Sequence, residues 1–371
     1  MTNQEQGPGV RFSKPPTSDN DASALRVGVV GVGYWGPNLA RNLAEIPGVE
    51  LVAIADLSQQ RLDHIRRRHQ SVHTTTRYLE LIEVGVDAVV IATPPATHHE
   101  IGRAFIQRGV HCLIEKPLAA TIAEAQDLVS LAQMHGVCLM TGHTFEYNPA
   151  VRHVRALIEA GELGEVHYLD AVRTNLGLFQ PKTDAMWDLA PHDISIANYL
   201  LDAAPVRVTA HGGSFAMRSM GINDLVYLHL EYPDGKLANI RVSWLDPNKT
   251  RRTTVVGDKK MLVYDDVENL EKLRVYDKGV DTVPYTDTYG EFQCSYRYGD
   301  VTIPHVSWQE PLRIECRHFV DSITAGTAPL SDGVSGMRVV EVLEAASRSL
   351  ELGRVVDIAE VRGTPITATS Q

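Results

Sequence analysis

Lysine, aspartate and histidine side chains stand at spacings that suit acid–base chemistry. Lys116 lies in the run Glu115-Lys116-Pro117 directly after an apolar segment, where burial or a nearby charge can shift its pKa and suit it to proton transfer. Asp188 and His192 are four residues apart, so both side chains share one face if the segment is helical. Histidine titrates near neutral pH, and a carboxylate can orient it. The residues alone equally allow a surface turn at Lys116 and a helix cap at Asp188 beside a surface histidine.

A glycine pattern near the N-terminus predicts a dinucleotide site. The run GVGYWG over residues 31–36 has the form G-x-G-x-x-G and lies between a predicted strand and a predicted helix, which is the context that the motif requires. Gly31 permits the tight turn, Gly33 lets a pyrophosphate approach the backbone, and Gly36 lets helix and strand pack closely. Helix-terminal amides then hold the phosphates without a lysine, and we place Tyr34 and Trp35 among the cofactor-binding residues.

Further residues extend the predicted cofactor site. Asp56 ends the second predicted strand, where a carboxylate accepts hydrogen bonds from a ribose 2′-OH and repels a 2′-phosphate, so NAD is favoured over NADP; a helix cap is the alternative. Thr93 and Pro94 follow another strand and line the path of the nicotinamide ribose, unless they only end that strand. We add His98, Glu115 and Lys116 to the cofactor-binding residues. No metal site is predicted, because the neighbouring histidines 98 and 99 do not converge on one ion.

The elements that position these residues fall into two groups along the sequence. In the first part, strands alternate with helices, which indicates βαβ units and a parallel sheet, that is, an N-terminal Rossmann domain. The strands are predicted at 25–31, 49–55, 86–92, 111–114 and 137–141, and the helices at 34–46, 58–69, 97–109 and 121–135.

The second part predicts a C-terminal α+β domain with a large, mostly antiparallel open sheet, so the fold class is α/β overall. A turn at 232–236 joins two strands as a hairpin. Pro191 is tolerated only in a first helical turn, so we expect the helix around it to begin near 187–189. The tyrosine-rich stretch 279–309 is predicted to be a long loop over a site or a subunit interface. The strands are predicted at 166–174, 206–215, 225–232, 237–244, 252–256, 260–264 and 272–276, and the helices at 149–160, 187–201, 310–325 and 333–352.

Composition narrows the function classes. The 371 residues carry 35 Lys and Arg against 46 Asp and Glu, a formal charge of −11, which argues against a general nucleic-acid surface. No apolar run is long enough for a membrane-spanning helix, and the four cysteines form no C-x-x-C or zinc pattern, which favours a reducing cytoplasm. We predict four segments: a flexible tail over 1–24, a dinucleotide-binding domain over 25–144, a substrate-binding and oligomerisation domain over 145–360, and a tail over 361–371.

Four stretches together resemble the glucose–fructose oxidoreductase / inositol dehydrogenase family, known as Gfo/Idh/MocA. They are GVGYWG at 31–36, EKP at 115–117, EYNPAVRHVRALIEAGELGEV at 146–166 and the DxxxHD element at 188–193. The resemblance spans about residues 25–355. It implies NAD as the cofactor, and a homodimer or homotetramer formed through the open sheet of the C-terminal domain.

The resemblance also implies roles for the acid–base residues. Lys116 matches the lysine that contacts substrate and nicotinamide and takes part in proton transfer, His192 matches the acid/base histidine, and Asp188 matches the carboxylate beside it. Pro117 matches a proline whose peptide bond is often cis. The predicted substrate-binding residues are Lys116, Tyr147, Asn148, Asp188 and His192.

The stretch MWDLAPHDISI is similar to the branch that acts on nucleotide-linked sugars. The resemblance therefore predicts an NAD(H)-dependent oxidoreductase that transfers a hydride between nicotinamide and a secondary hydroxyl or ketone of a sugar, at C3 of a nucleotide-linked pyranose. Three alternatives stay open: a glycoside-cleaving enzyme that oxidises C3 transiently, a dehydrogenase of inositol or a free sugar, and a non-catalytic dinucleotide-binding regulator. The last kind usually lacks the lysine or the histidine, and both are present here.

Overall fold

The computed structural model describes residues 24–177, 179–181, 183–282 and 294–362, and not the side chains of 281, 282 and 294. Most of both predicted tails therefore lies outside the described residues. The chain divides into two compact units: Met1–Tyr147 with Gln309–Val340, and Asn148–Trp308 with Glu341–Gln371. In the described part of the chain, no helix has the length and apolar character that a membrane crossing requires.

The first unit contains a six-stranded parallel sheet in the order β3-β2-β1-β4-β5-β6, which confirms the predicted Rossmann domain. The order reverses between β1 and β4, the position at which doubly wound sheets bind ligands. Strands β4 and β5 are buried along their whole length, as expected of central parallel strands. The elements are β1 (Leu25–Val30), α1 (Gly36–Ala44), β2 (Val49–Ala55), α2 (Gln59–Arg66), β3 (His73–Thr75), α3 (Glu80–Val84), β4 (Ala88–Ile91), α4 (His98–Ile106), β5 (His111–Glu115), α5 (Ile122–His135) and β6 (Leu139–Gly142).

A helix from the far end of the sequence completes the core of this unit. Helix α8 (Pro311–Ala325) packs on α1, and its residues Leu312 and Phe319 join Leu39 and Leu43 in one buried cluster. The predicted boundary at 144/145 therefore needs correction: the chain leaves the cofactor unit after Tyr147 and re-enters it at 309–340. The physical reason is the apolar face of α1, which α8 covers.

The second unit contains a nine-stranded sheet in the order β14-β13-β12-β11-β7-β10-β9-β8-β15. Strands β7 and β10 run parallel and the other neighbours run antiparallel, as predicted in outline. Helix α7 packs against β7, β9 and β10. The elements are α6 (Pro149–Glu159), β7 (Val166–Thr174), α7 (Ala185–Leu201), β8 (Arg207–Gly213), β9 (Leu225–Glu231), β10 (Leu237–Ser243), β11 (Thr250–Gly257), β12 (Met261–Asp265), β13 (Leu273–Thr282), β14 (Cys294–Thr302), α9 (Gly333–Leu352, shared between the units), β15 (Val356–Asp357) and α10 (Ile358–Arg362).

The prediction of a long loop over 279–309 is wrong, because part of this stretch forms two paired strands. Strand β13 continues to Thr282 and pairs with β14, which starts at Cys294. Tyr296 and Tyr298 are both exposed on β14 and stack at 6.5 Å between ring centroids, and their spacing of two is the side-chain period of a strand. Tyr285 and Tyr289 lie outside the described residues. Near the C-terminus, helix α10 runs to Arg362, so its last two residues lie within the tail predicted over 361–371.

Candidate active site

The glycine loop between β1 and α1 has the geometry that a dinucleotide phosphate requires. Gly31 has φ +92°, and a Cβ there would lie 2.6 Å from the carbonyl oxygen of Ala92. A Cβ on Gly36 would overlap the carbonyl oxygen of Gly31. Gly33 instead meets only Arg61, at 3.9 Å, so its surface is open. Packing therefore excludes any side chain at Gly31 and Gly36, and Gly33 between them leaves the backbone accessible to a ligand at the N-terminus of α1.

Asp56 braces this loop from the end of β2. Its carboxylate accepts hydrogen bonds from the backbone N–H of Val32 at 2.7 Å and of Ser58 at 2.8 Å. The guanidinium of Arg61 lies 3.7 Å away. The carboxylate stands at the end of the strand next to β1, where it fits an adenosine ribose. Tyr34 and Trp35 are both exposed at the loop, with ring centroids 5.3 Å apart.

The next two strands of the parallel sheet end in turns that carry the other predicted cofactor residues. After β4, Thr93 is half-buried and accepts a hydrogen bond from the Thr97 hydroxyl at 2.8 Å, and Pro94 is exposed. After β5 comes Lys116, whose peptide bond to Pro117 is cis. Both turns leave the sheet at its carboxyl edge, beside the point where the strand order reverses. The first unit thus brings the predicted cofactor residues to one edge.

Glu115, the residue before Lys116, and Glu315 form a buried acidic pair. Burial raises the pKa of Glu115 to about 7, although the positive charge of Lys116 opposes the shift. Burial, together with the charge of Glu115, raises the pKa of Glu315 well above its usual value, and Thr144 donates to this carboxylate at 2.8 Å. Burial and the charge of Lys116 lower the pKa of His143 to about 3. The Glu115 carboxyl is therefore a buried acid that accepts a hydrogen bond from the backbone N–H of Lys116 at 3.3 Å.

Helix α7 carries the second group of acid–base residues. Its N-cap is Asp184, whose side chain accepts a hydrogen bond from the backbone N–H of Trp187 at 2.8 Å. The helix begins at Ala185, so the predicted start at 187–189 is wrong and Pro191 lies inside the helix. The Asp184 cap and the buried face of α7 outweigh the hydrogen bond that Pro191 cannot donate.

Asp188 and His192 lie one turn apart in this helix, as the spacing predicted. The Asp188 carboxylate accepts a hydrogen bond from the indole N–H of Trp244 at 3.1 Å, and Trp244 is itself fully buried. One residue further, Asp193 forms a bidentate ion pair with Arg173 of β7, at 2.7 and 2.9 Å, with both side chains buried. The Asp188 carboxylate is thus held by a buried indole, and the helix that carries it is anchored by a buried ion pair.

Family comparisons identify both units. Residues 25–143 match the family described as "Oxidoreductase family, NAD-binding Rossmann fold", and residues 151–263 match the GFO/IDH/MocA C-terminal domain. The chain belongs to the Gfo/Idh/MocA oxidoreductase family. It is therefore an oxidoreductase whose cofactor is NAD, as predicted.

The relatives of this Gfo/Idh/MocA oxidoreductase include enzymes of sugars and polyols. The UDP-N-acetylglucosamine 3-dehydrogenase of Acidithiobacillus ferrooxidans is 28% identical over 85% of this chain and 94% of its own. The myo-inositol 2-dehydrogenase of Thermotoga maritima is 26% identical over 91% of this chain and 100% of its own. Among solved structures, GenD2 from gentamicin A biosynthesis, in complex with NAD, has a TM-score of 0.76 at 26% identity, covering 93% of this chain and 99% of GenD2.

Two residues predicted to bind substrate have structural partners in this oxidoreductase. Tyr147 is fully buried, and its hydroxyl is 2.9 Å from the hydroxyl of Ser331. Asn148 is the N-cap of α6 and accepts from Ala150, while its amide donates to Tyr264 at 3.0 Å. Both polar groups form hydrogen bonds inside their own units, and their assignment to substrate binding stays a prediction.

Other supporting residues escaped sequence reasoning. Arg173 lies on β7 and Trp244 lies directly after β10, both distant in sequence from α7. In the structure, Leu169, Ala171 and Arg173 alternate as buried positions of β7, which places Arg173 on the inner face. Among the residues that the structure describes, no three His, Cys, Asp or Glu side chains are grouped so as to hold a metal ion.

Proposed function

We propose that this oxidoreductase oxidises a secondary hydroxyl of a sugar, at C3 of a nucleotide-linked pyranose, or reduces the corresponding ketone. The observation that carries the proposal is the intact acid–base set: Lys116 at the carboxyl edge of the parallel sheet, with Asp188 and His192 on one helix face. A dinucleotide-binding regulator does not need these three groups. The 28% identical UDP-N-acetylglucosamine 3-dehydrogenase supports the substrate class.

The residues of the site fit NAD, and different residues suit different parts of the cofactor. The open backbone at Gly33 and the N-terminus of α1 suit the pyrophosphate, and Asp56 suits the adenosine ribose. When bound, NAD supplies a hydride acceptor at nicotinamide C4. In our proposal the nicotinamide lies at turns 93–94 and 115–117, which follow β4 and β5 on the other side of the sheet reversal from β2.

Proton transfer falls to the residues of the chain. The alcohol loses a hydride and a proton as it becomes a ketone, and in our proposal His192 accepts the hydroxyl proton. The Lys116 ammonium donates a hydrogen bond to the same oxygen, where negative charge develops, a contact that contributes a few kcal/mol in such sites. Asp188, fixed by Trp244, orients His192.

A substrate panel tests the proposal. UDP-linked hexoses, free hexoses and inositols are offered with NAD⁺, and NADH formation is followed by absorbance. We expect turnover with a UDP-sugar, and a fall of about 100-fold or more in kcat for Lys116→Ala and His192→Ala. Lys260→Ala, which removes only a surface ion pair with Glu162, is the matched control. Wild-type turnover by Lys116→Ala contradicts the assignment of that lysine.

A polyol is the second candidate substrate, because myo-inositol 2-dehydrogenase is also among the relatives. A higher kcat/KM for free inositol than for any UDP-sugar in the same panel selects this alternative. Release of an aglycone without NADH accumulation selects a glycoside-cleaving reaction instead.

We also propose a homodimer or homotetramer in the cytoplasm. Helix α7 lies against one side of the nine-stranded sheet, and on its other side Tyr168 and Tyr227 are exposed. The thiols of Cys112, Cys138 and Cys316 are buried and free, which suits a reducing compartment. Sedimentation velocity tests the assembly: Tyr227→Glu should release monomers, and a monomeric wild type contradicts the proposal.

A further inference from the structure

The imidazole of His98 lies between the two turns that follow β4 and β5. His98 is the first residue of α4 and is completely buried. Its Nε2 is 2.8 Å from the carbonyl oxygen of Thr93, and its Nδ1 is 2.9 Å from the carbonyl oxygen of Pro117. One side chain therefore contacts the backbone of both turns, and Lys116 directly precedes one of the contacted residues.

The contacts of His98 lie just beyond the point where the pairing of β4 and β5 ends. Strands β4 and β5 pair in parallel, and their last paired residues are Ile91 and Ile114. Beyond these residues, strand pairing no longer fixes the distance between the segments that follow β4 and β5. The carbonyl groups of Thr93 and Pro117 lie two and three residues further along, so the imidazole takes over where the backbone pairing stops.

We propose that His98 is a positioning residue, which sets the place of Lys116 relative to the Thr93 turn by bonding the backbone of both turns. Full burial leaves its ring no surface for a cofactor contact, so we reassign His98 from cofactor binding to this role. Carbonyl oxygens only accept, so a protonated ring satisfies both contacts and a neutral ring satisfies one. Either form holds the ring between the turns.

A second buried histidine supplies a matched control. His111 lies at the opposite end of the same strand β5, is 5% exposed, and accepts a hydrogen bond from the backbone N–H of Cys138 at 2.8 Å. It thus also links neighbouring strands through its side chain, but away from the carboxyl edge. His111→Ala measures the cost of losing a buried histidine, and His98→Ala measures that cost plus any loss of positioning.

Amide hydrogen exchange and NADH binding test the role without a substrate. In His98→Ala, peptides covering 92–97 and 114–120 should exchange faster than in His111→Ala, and NADH titrated by fluorescence should bind several-fold more weakly. His98→Gln, whose amide can donate to one of the two carbonyls, should fall between His98→Ala and the wild type, and it replaces His98→Ala in every comparison if the alanine variant does not fold.

Turnover adds the decisive comparison and rests on the proposed function. With a substrate from the sugar panel, kcat should fall about 100-fold in His98→Ala, KM should change less, and kcat of His111→Ala should stay within about twofold of wild type. Equal exchange rates in the two alanine variants, or equal kcat values, overturn the proposal. If no sugar is turned over by the wild type, the proposed function fails, and the exchange and NADH results alone decide the role of His98.

Discussion

Breaking the buried ion pair between Arg173 and Asp193 should destabilise the second unit strongly, and Asp193→Ala removes one of its two partners. Arg173 is 5% exposed, so loss of the carboxylate leaves a guanidinium charge in the interior. Burial by itself lowers the pKa of Arg173, yet the charge and hydrogen bonds of Asp193 raise it above its usual value, so the pair outweighs desolvation. Breaking such a pair by removing one partner costs about 3–5 kcal/mol.

That loss is large enough to measure directly. A cost of about 4 kcal/mol corresponds to a decrease in Tm of about 8–16 °C for a unit of this size. Denaturant unfolding followed by tryptophan fluorescence gives the change in the free energy of unfolding. The double variant Arg173→Met with Asp193→Leu should regain most of the loss, because neither charge then needs a partner.

The control is another bidentate arginine–carboxylate pair, near the surface. Arg354 donates to Glu360 at 3.0 and 2.7 Å, but both side chains are exposed. Arg354→Ala should therefore change stability far less than Asp193→Ala. An Asp193→Ala variant that loses no more than this control refutes the reasoning, as does a double variant that is less stable than Asp193→Ala.

Three further predictions follow from the first unit. Gly36→Ala places a methyl group against the Gly31 carbonyl and should weaken NADH binding about tenfold or more, measured by fluorescence titration, whereas Gly109→Ala, whose added Cβ meets open space, should not. Asp56→Asn removes a charge that repels a 2′-phosphate, and should raise the ratio of kcat/KM for NADP⁺ over NAD⁺ about tenfold. Glu115, with its pKa raised from 4.5 to about 7, stabilises the fold at low pH and loses that contribution as pH rises through this window. In the wild type, this residue should lower the free energy of unfolding by about 3 kcal/mol as the pH rises from 4.5 to 7, and Glu115→Gln should lack that decrease.

For each of these three predictions, one result of the same measurement would contradict the reasoning. An unchanged NADH dissociation constant in Gly36→Ala contradicts the packing argument for the loop. A wild type that uses NAD⁺ and NADP⁺ equally contradicts the exclusion by Asp56. An unfolding free energy that varies with pH in the same way in wild type and Glu115→Gln contradicts protonation of the buried carboxyl.

Local patterns predicted the cofactor unit well because its signals are local. The strand-glycine-helix run at 31–36 and the apolar strands β4 and β5 carry their structure in a few neighbouring residues. Strand β3 was missed, because His73–Thr75 is three residues long and lacks an apolar run. Pro191 misled the prediction of α7, because tertiary packing kept the helix intact around a residue that local rules place only in a first turn.

Within the candidate site, the sequence suggested which groups react, which stays a prediction, and it did not reveal the residues that support them. Lys116, Asp188 and His192 followed from residue type, spacing and the family resemblance. The partners that hold this region, such as Trp244 for Asp188 and Arg173 for Asp193, lie 56 and 20 residues away in sequence. Tyr147 and Asn148 lie within the matched stretch 146–166 and were predicted to bind substrate, and their hydrogen bonds to Ser331 and Tyr264 are visible only in three dimensions.

The late arrival of α8 has a consequence for synthesis of the chain. The cluster around Leu39 and Leu43 of α1 is completed by Leu312 and Phe319, so the N-terminal unit emerges from the ribosome with part of its core surface uncovered. At usual elongation rates, that surface waits on the order of ten seconds or more before α8 is made. A nascent chain at this stage is a natural client for chaperones that bind apolar surface, and a message truncated after Tyr147 yields a product prone to aggregation.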